Sequence, residues 1–405
     1  MAGSLASDDL VTQVLHGKQT DFVPVAPSYE GLGALQFHRL ELNWRKWWHR
    51  LENAHTDLLP VDYDTYLAVE LEIHVDVIER CYPRPAWLSV PHNDTPDEIR
   101  GYAIARRGED LFWLSPSGHA SWIPPSRAAQ QEAEVVERSL PWADYWDRAD
   151  NRAIQRAAFR PVHQLSPIPR PDDRQADALV HSQRYDVARA LVRRYPDSMP
   201  LYTNGASPYN SLEGLFGFQP MMYALAEQPD LVHRILENRL PRPSARLLAE
   251  RKLGLSLMFI EECMASADII SPKMYREFAF PYDQQAIEMY EGLGFRTVLY
   301  FSGNLMPLLE DLNRLPFTGI IFEENRKNYG IDLATVRKAL PEKVIFGNMD
   351  AWFIERASDQ ELLDEVKRQI DVAGPDRFIL STGSPLTPGT SLDRVKFFCE
   401  STRLI

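Results

Sequence analysis

Residues 297–304 read TVLYFSGN, a short apolar run that passes directly into a polar turn. Runs of this kind, bounded by polar residues or by glycine and proline, indicate buried strands. Seven further runs lie along the chain, and helix-like segments such as 224–240 and 359–373 separate most of them. These runs are VPVAP (23–27), LPVDY (59–63), MPLYT (199–203), LSLMFI (255–260), GIIF (319–322), KVIFG (343–347) and FILS (378–381).

Eight strands that alternate with helices predict an α/β fold whose parallel sheet closes into a (β/α)8 TIM barrel. We expect this barrel to be the one domain of residues 1–405. The alternative is an open doubly wound sheet, but no Gly-rich dinucleotide loop follows any of the strands. Between the second and third strands we predict an insertion, residues 80–175, with a β-hairpin at 101–125 and a Pro-rich loop at 160–174.

The composition narrows the classes of function. The 405 residues carry a formal net charge of −13, which disfavours nucleic acid and anionic membranes as partners. No apolar run approaches the roughly 18 residues that a membrane helix needs. The three cysteines form no CxxC pair, and the start MAGSLASDDL lacks the features of an export signal. We therefore predict a cytoplasmic protein.

Polar residues directly after the strands form the candidate site, because barrels of this type place their active sites at the carboxyl ends of the strands. Carboxylates that converge there would raise the pKa of at least one of them, as acid–base catalysis requires. The candidate catalytic residues are Asp62, Asp64, Glu261 and Glu262. The candidate substrate-binding residues are Asn204, Tyr300, Ser302, Asn304, Glu324, Asn348, Asp350 and Ser384.

Two other interpretations apply to these residues. Any of them can instead cap the helix that follows its strand, and Asp350, just before AWFIERA, is well placed to do so. Cys263 follows two acids that should raise the pKa of its thiol, which disfavours a role as nucleophile.

Together these motifs make the chain resemble the uroporphyrinogen decarboxylase superfamily, which also contains corrinoid-linked methyltransferases. The resemblance implies a (β/α)8 barrel, in agreement with the strand count. It rests on VLHGKQTDFVPVAP (14–27), GLFGFQPMMYALAEQPDLVHRILE (214–237), EECMASADIISPKMYREFAFPY (261–282), VLYFSGN (298–304), VIFGNMD (344–350) and ILSTGSPLTPGTS (379–391).

The methyltransferase branch typically holds a thiol-activating zinc on a His-x-Cys pair after the fifth strand and on a later Cys. The resemblance places Tyr300, Ser302 and Ser384 at these positions, and no histidine follows His233. Because a neutral hydroxyl is a poor zinc ligand, we predict that this site holds no metal and that Tyr300, Ser302 and Asn304 hydrogen-bond the substrate. A hard cation is the alternative. Its ligands would come from Glu261, Glu262, Glu323 and Asp350.

The decarboxylase branch grips the carboxylates of a porphyrinogen with an Arg-rich segment after the first strand and turns an Asp toward the pyrrole nitrogens. Residues 23–40 lack that Arg-rich pattern, and Asp62 and Asp64 match the Asp only loosely. A true uroporphyrinogen decarboxylase is therefore disfavoured.

Three hypotheses follow. In the first, the chain moves a methyl group between a small methylated substrate and a corrinoid carried by a partner protein, with Glu261 or Glu262 as general acid. In the second, it is a metal-independent decarboxylase or lyase of a small carboxylated substrate. In the third, it is a non-catalytic binding protein derived from an enzyme. We expect no tightly bound cofactor, and the resemblance implies a monomer or homodimer.

Overall fold

The computed structural model describes residue 5 and residues 9–27, 33–81, 88–126, 129, 173–196, 200–325, 330–387 and 389–405. Eleven strands occur in this part of the chain. They are β1 Leu58–Pro60, β2 Leu88–Ser89, β3 Ala103–Arg107, β4 Asp110–Leu114, β5 Ala120–Ile123, β6 Leu201–Ala206, β7 Leu257–Glu262, β8 Arg296–Phe301, β9 Gly319–Phe322, β10 Val344–Phe346 and β11 Phe378–Ile379.

Helices separate most of these strands. They are Leu10–Leu15, Gly33–Asn53, Tyr63–Cys81, Pro96–Ile99, Asp173–His181, Asp186–Arg194, Ser211–Phe216, Phe218–Glu227, Pro229–Arg239, Ala245–Lys252, Pro272–Met274, Phe280–Gly292, Leu309–Arg314, Leu333–Ala339, Ala351–Arg356, Asp359–Ala373 and Leu392–Glu400. A π-helical segment, Tyr275–Ala279, joins two of them. None of the helices in the described residues is long and apolar enough to cross a membrane.

Seven strands form one parallel sheet in the order β11-β10-β9-β8-β7-β6-β2. Six of them, β6 to β11, coincide with the predicted runs from MPLYT to FILS, so this part of the prediction is confirmed. Each run is apolar on both faces, as a strand must be when it is covered on both sides. The result is the predicted α/β class, with a parallel sheet and helices between consecutive strands.

The predicted first strand, residues 23–27, joins this sheet next to β11. Val25 and Leu380 form a parallel bridge. The Ala26 N–H donates to the Leu380 carbonyl at 2.8 Å, and the Leu380 N–H donates to the Pro24 carbonyl at 2.9 Å. The described hydrogen bonds do not join residues 23–27 to β2, so closure into an eight-stranded barrel stays a prediction.

The predicted second strand, LPVDY, is wrong as a member of the parallel sheet. Leu58–Pro60 instead pairs antiparallel with β3. The position beside β6 belongs to β2, whose Leu88 pairs with Leu201. Because β2 contains two residues between proline-rich flanks, its sequence carries almost no strand pattern.

Residues 101–123 form antiparallel strands, and β1 completes a four-stranded sheet in the order β1-β3-β4-β5. This sheet follows β2 and precedes β6 in the chain, so the predicted insertion range 80–175 also contains one strand of the parallel sheet. The predicted Pro-rich loop, 160–174, lies outside the described residues except for its last two.

The two faces of the parallel sheet contact different partners. One face forms an apolar cluster with the first helix, Leu10–Leu15, and includes Tyr202, Phe259 and Tyr300. The other face packs against the helices that connect the strands and includes Ile260. We call them the inner and the outer face. Since side chains alternate between the faces of a strand, the face of every strand-end residue follows from its register.

Candidate functional site

The carboxyl end of β7 carries the two predicted acids on opposite faces of the sheet. Glu261 pairs in register with Tyr300 and shares the inner face with it. Its side chain is half-buried and accepts a hydrogen bond from the Cys263 thiol at 3.2 Å. Cys263 packs against the inner cluster, whereas Glu262 points to the outer face and is completely buried. Of these two acids, only Glu261 therefore faces the inner mouth, by which we mean the inner face at the carboxyl ends of β7 to β10.

A hydroxyl–carboxylate pair lies on the inner face at the ends of β8 and β9. The Ser302 hydroxyl donates to Glu323 Oε1 at 2.9 Å. Asn348, after β10, donates its side-chain N–H to the Glu323 carbonyl at 3.2 Å. Below them the Tyr300 ring stacks on Phe259, with 5.9 Å between ring centroids. These contacts place the predicted residues Tyr300, Ser302 and Asn348 together on the inner face.

Glu324 and Ser384 meet each other instead of joining this inner group. The Ser384 hydroxyl lies 2.8 and 2.7 Å from the two Glu324 carboxylate oxygens, and both side chains are buried. A Cβ at Gly383 would lie 2.4 Å from the Glu324 backbone nitrogen, so only glycine permits this approach. The alternation along β9 places Glu324 opposite Glu323.

Three other predicted site residues make structural contacts. Asn204 donates to Ser89 Oγ at 3.0 Å and so ties β6 to β2. The Asn304 side-chain oxygen accepts from the Met306 N–H at 3.1 Å, at the start of a 3-10 turn. Asp350 is the N-cap of the helix Ala351–Arg356 and accepts from the Trp352 N–H at 2.7 Å, as its sequence position indicated.

Asp62 and Asp64 lie at the beginning of the helix Tyr63–Cys81, after the antiparallel strand β1. Asp62 accepts a hydrogen bond from the Thr65 N–H at 2.7 Å, which is a helix-capping contact. Asp64 lies in the first turn of the helix, where a negative charge favours the helix dipole. Their catalytic role was predicted because they appeared to follow a strand of the parallel sheet. Neither Asp62 nor Asp64 follows such a strand.

The outer face holds a buried acid pair that the sequence did not reveal. The Ser207 hydroxyl lies 2.5 Å from Glu262 Oε2 and 2.8 Å from Asp283 Oδ1. Ser207 Oγ also accepts from the Asn210 N–H at 3.1 Å. Asp283 belongs to the helix Phe280–Gly292 and is 3% exposed. An aspartate at a core-facing position of a helix was the one sequence signal for this pair.

Counting the hydrogens shows that the pair holds a proton. A hydroxyl has one proton to donate and two lone pairs to accept with. Since Asn210 uses one lone pair, the hydroxyl of Ser207 can donate to one carboxylate and accept from the other, which must then be protonated. Burial raises the pKa of Glu262 to about 7. Burial, followed by the charge of Glu262, raises the pKa of Asp283 well above its ordinary value.

The residues at the expected zinc positions do not fit that metal. Tyr300 and Ser302 offer hydroxyls, and the Ser302 and Ser384 hydroxyls bond to different carboxylates. Zinc in proteins is held by thiolates, imidazoles and carboxylates. Within the residues that the structure describes, no three His, Cys, Asp or Glu side chains are grouped to hold a metal ion.

Comparison with known proteins shows to which protein family the chain is related. The family model for uroporphyrinogen decarboxylase (URO-D) matches residues 154–404, which is more than half of the chain. Uroporphyrinogen decarboxylase of Prochlorococcus marinus (strain MIT 9313) is 27% identical over 185 residues, 44% of this chain and 49% of that protein. Methylcobamide:CoM methyltransferase MtbA of Methanosarcina acetivorans is 23% identical over 214 residues, 52% of this chain and 60% of that one.

The chain spans about half the length of the first of these curated relatives. Both relatives are enzymes by name. A solved methyltransferase from Methanosarcina mazei aligns over 99% of both chains, with a TM-score of 0.56 and 16% sequence identity. This likeness shows that the two proteins share a fold. The resemblance predicted from the sequence motifs is confirmed, and the chain belongs to the uroporphyrinogen decarboxylase family.

Proposed function

We propose that this chain is an enzyme that moves a methyl group between a small methylated substrate and a corrinoid, without a thiol-activating zinc. The observation that carries the proposal is the position of Glu261. Its half-buried carboxyl faces the inner mouth next to the Cys263 thiol, in register with Tyr300 on the neighbouring strand. A carboxyl in this position can protonate the heteroatom that loses the methyl group.

The other inner-face residues suit the binding of a polar substrate. Because Ser302 donates its proton to Glu323, its oxygen can accept a hydrogen bond from the substrate. The buried aromatic rings of Tyr300 and Phe259 form an apolar floor that suits a methyl group. The Asn348 contact with the Glu323 backbone supports the strand end that carries this acid.

A corrinoid, carried by a partner protein, would supply the cobalt that accepts the methyl group. The proton that Glu261 donates would leave on the demethylated substrate, so that charge balances at the heteroatom. Glu262 is excluded from this role because it lies on the outer face within the acid pair.

The decarboxylase alternative is supported by the names of the relatives in sequence. However, Asp62 and Asp64, the residues predicted to act in a decarboxylase, lie at the start of a helix after the antiparallel strand. The non-catalytic alternative predicts no turnover of any donor.

The test uses the purified chain with free cob(I)alamin and a panel of methoxy, methylthio and methylamine donors. The absorbance change from cob(I)alamin to methylcobalamin is the readout. We expect methyl transfer from at least one donor class and a large loss of rate in Glu261→Gln. Glu227→Gln, at an exposed position of the helix Phe218–Glu227, is the matched control. Absence of any cobalt methylation, or a Glu261→Gln variant as fast as the control, overturns the proposal.

A further inference from the structure

A pocket with a mixed polar and apolar lining lies beside the carboxyl end of β2. Its volume is about 330 Å³, at the lower end of the size of small-molecule sites, roughly 300–1,000 Å³. Two helices, Gly33–Asn53 and Tyr63–Cys81, contribute one wall, and residues 88–93 contribute another. Its polar lining consists of Arg39, Glu70, His74, Ser89, His92 and Asn93.

Two side chains of opposite charge, Arg39 and Glu70, line this pocket. In the described chain the Arg39 guanidinium and the Glu70 carboxylate form neither a hydrogen bond nor an ion pair, with each other or with another group. Arg39 is nevertheless close enough to oppose the upward shift that burial imposes on the pKa of Glu70. The two helices are tied elsewhere, by Lys46 to Asp76 at 3.1 Å and by Arg50 to Glu72 at 3.0 Å. The two helices are therefore held together without any contact between Arg39 and Glu70.

His74 adds an acceptor whose orientation can be derived. Its Nδ1 lies 2.8 Å from the Glu70 backbone carbonyl, which can only accept, so Nδ1 carries the proton. Burial lowers the pKa of His74 to about 4, which leaves the ring neutral at pH 7. In a neutral ring protonated at Nδ1, Nε2 carries a lone pair. His74 Nε2 is therefore an acceptor one helical turn from Glu70.

We propose that this pocket binds a small zwitterion of the amino-acid class. Arg39 would hold its carboxylate, and Glu70 with His74 Nε2 would hold its ammonium group. The aliphatic side chains of Val77 and Leu191, which also line the pocket, would contact an apolar side chain of the ligand. A lone anion would be repelled by Glu70 and a lone cation by Arg39, so the charge pattern selects a ligand that carries both.

Ser89 links the pocket to strand β6. Ser89 lines the pocket and accepts the hydrogen bond from Asn204, at the carboxyl half of β6. The binding proposal does not depend on methyl transfer, and its test uses no activity measurement.

The experiment is titration calorimetry of the full chain with L-leucine, 4-methylpentanoate and 3-methylbutan-1-amine. We expect L-leucine to bind and each half-ligand to bind at least about tenfold more weakly, because each loses one set of charge-assisted hydrogen bonds. Arg39→Gln and Glu70→Gln should each raise the Kd for L-leucine about tenfold for the same reason. Arg45→Gln and Glu79→Gln change exposed charges on the same two helices and should leave the Kd unchanged.

Three results would overturn the proposal. One is the absence of binding by L-leucine and by a panel of polar and aliphatic amino acids. Another is equal binding of the carboxylate alone with no effect of Glu70→Gln, which would make this a simple anion site. The third is loss of affinity in the control variants equal to that in the pocket variants. Melting curves of all four variants show whether each one is folded.

Discussion

Glu261 and Glu262 are neighbours in the chain and have opposite surroundings. Glu261 lies half-buried at the inner mouth beside a thiol, whereas Glu262 is completely buried on the outer face and shares a proton with Asp283 through Ser207. A shift of one residue along a strand moves a side chain to the other face of the sheet. Register alone therefore decides whether a glutamate of β7 faces the inner mouth or is buried against a helix.

The comparison is tested most strongly by Glu261→Gln. Removal of a general acid typically lowers a rate by about 10²- to 10⁴-fold, so we expect a loss of that size in methyl transfer to cob(I)alamin. The melting temperature should stay close to the wild-type value, because Glu261 is half-buried and accepts one thiol hydrogen bond. A destabilised protein with an unchanged rate would place Glu261 among the structural residues instead.

The outer acid pair predicts how stability depends on pH. Because the pKa of Glu262 is raised to about 7 in the folded state, folding favours the protonated form. The contribution of Glu262 to the free energy of unfolding is therefore fully present below the ordinary glutamate pKa. It is lost as pH rises through about 7. We expect a loss on the order of 2 kcal/mol between pH 5 and pH 8, measured by urea unfolding.

Glu262→Gln should reduce this loss, since an amide keeps hydrogen-bonding capacity and cannot ionise. Asp283, whose pKa is raised first by its own burial, still titrates in this variant. The other titratable groups facing the pair are Tyr209 and Tyr275, whose pKa values burial raises further from this range. Glu227→Gln is again the control and should keep the wild-type pH dependence. A Glu262→Gln variant that loses stability with pH as steeply as the wild type would contradict the proton-sharing pair.

Glu323 and Glu324 are a second pair of neighbouring acids on opposite faces of the sheet, and Gly383 packs closely against Glu324. A methyl group there would meet the Glu324 backbone and carboxylate, so Gly383→Ala should cost about 1–3 kcal/mol of unfolding free energy. Gly214→Ala, on a helix where a Cβ meets nothing within 4 Å, is the matched control and should be neutral or slightly stabilising. Equal stability of the two variants in urea would show that the chain near Glu324 yields easily.

The smallest expected effect concerns Asp350, predicted both as a cap and as a substrate-binding residue. Loss of its hydrogen bond from the Trp352 N–H in Asp350→Ala should lower stability by about 1 kcal/mol. Asp350→Ser, another good N-cap, should recover most of that stability. If Asp350→Ser is stable but fails to transfer methyl groups, the residue also belongs to the inner mouth.

Much of the fold and part of the site could be predicted from local sequence. The runs from MPLYT to FILS are long enough and apolar enough to mark strands without help from other parts of the chain. β2 escaped prediction because two residues carry no periodicity, and LPVDY was misassigned because antiparallel and parallel strands share the same residue preferences. The location of Tyr300 and Ser302 at a strand end followed directly from their position in TVLYFSGN.

The sequence by itself thus determined the alternation of strands and helices, the family, and the absence of soft metal ligands at Tyr300, Ser302 and Ser384. Tertiary structure decided which acids face the inner mouth, because facing depends on the register of each strand against its neighbours. It also brought Asp283 to Glu262 and Ser207, and Arg39 to Glu70. Such contacts join separate segments of the chain, and only packing, which no local pattern encodes, places their side chains together.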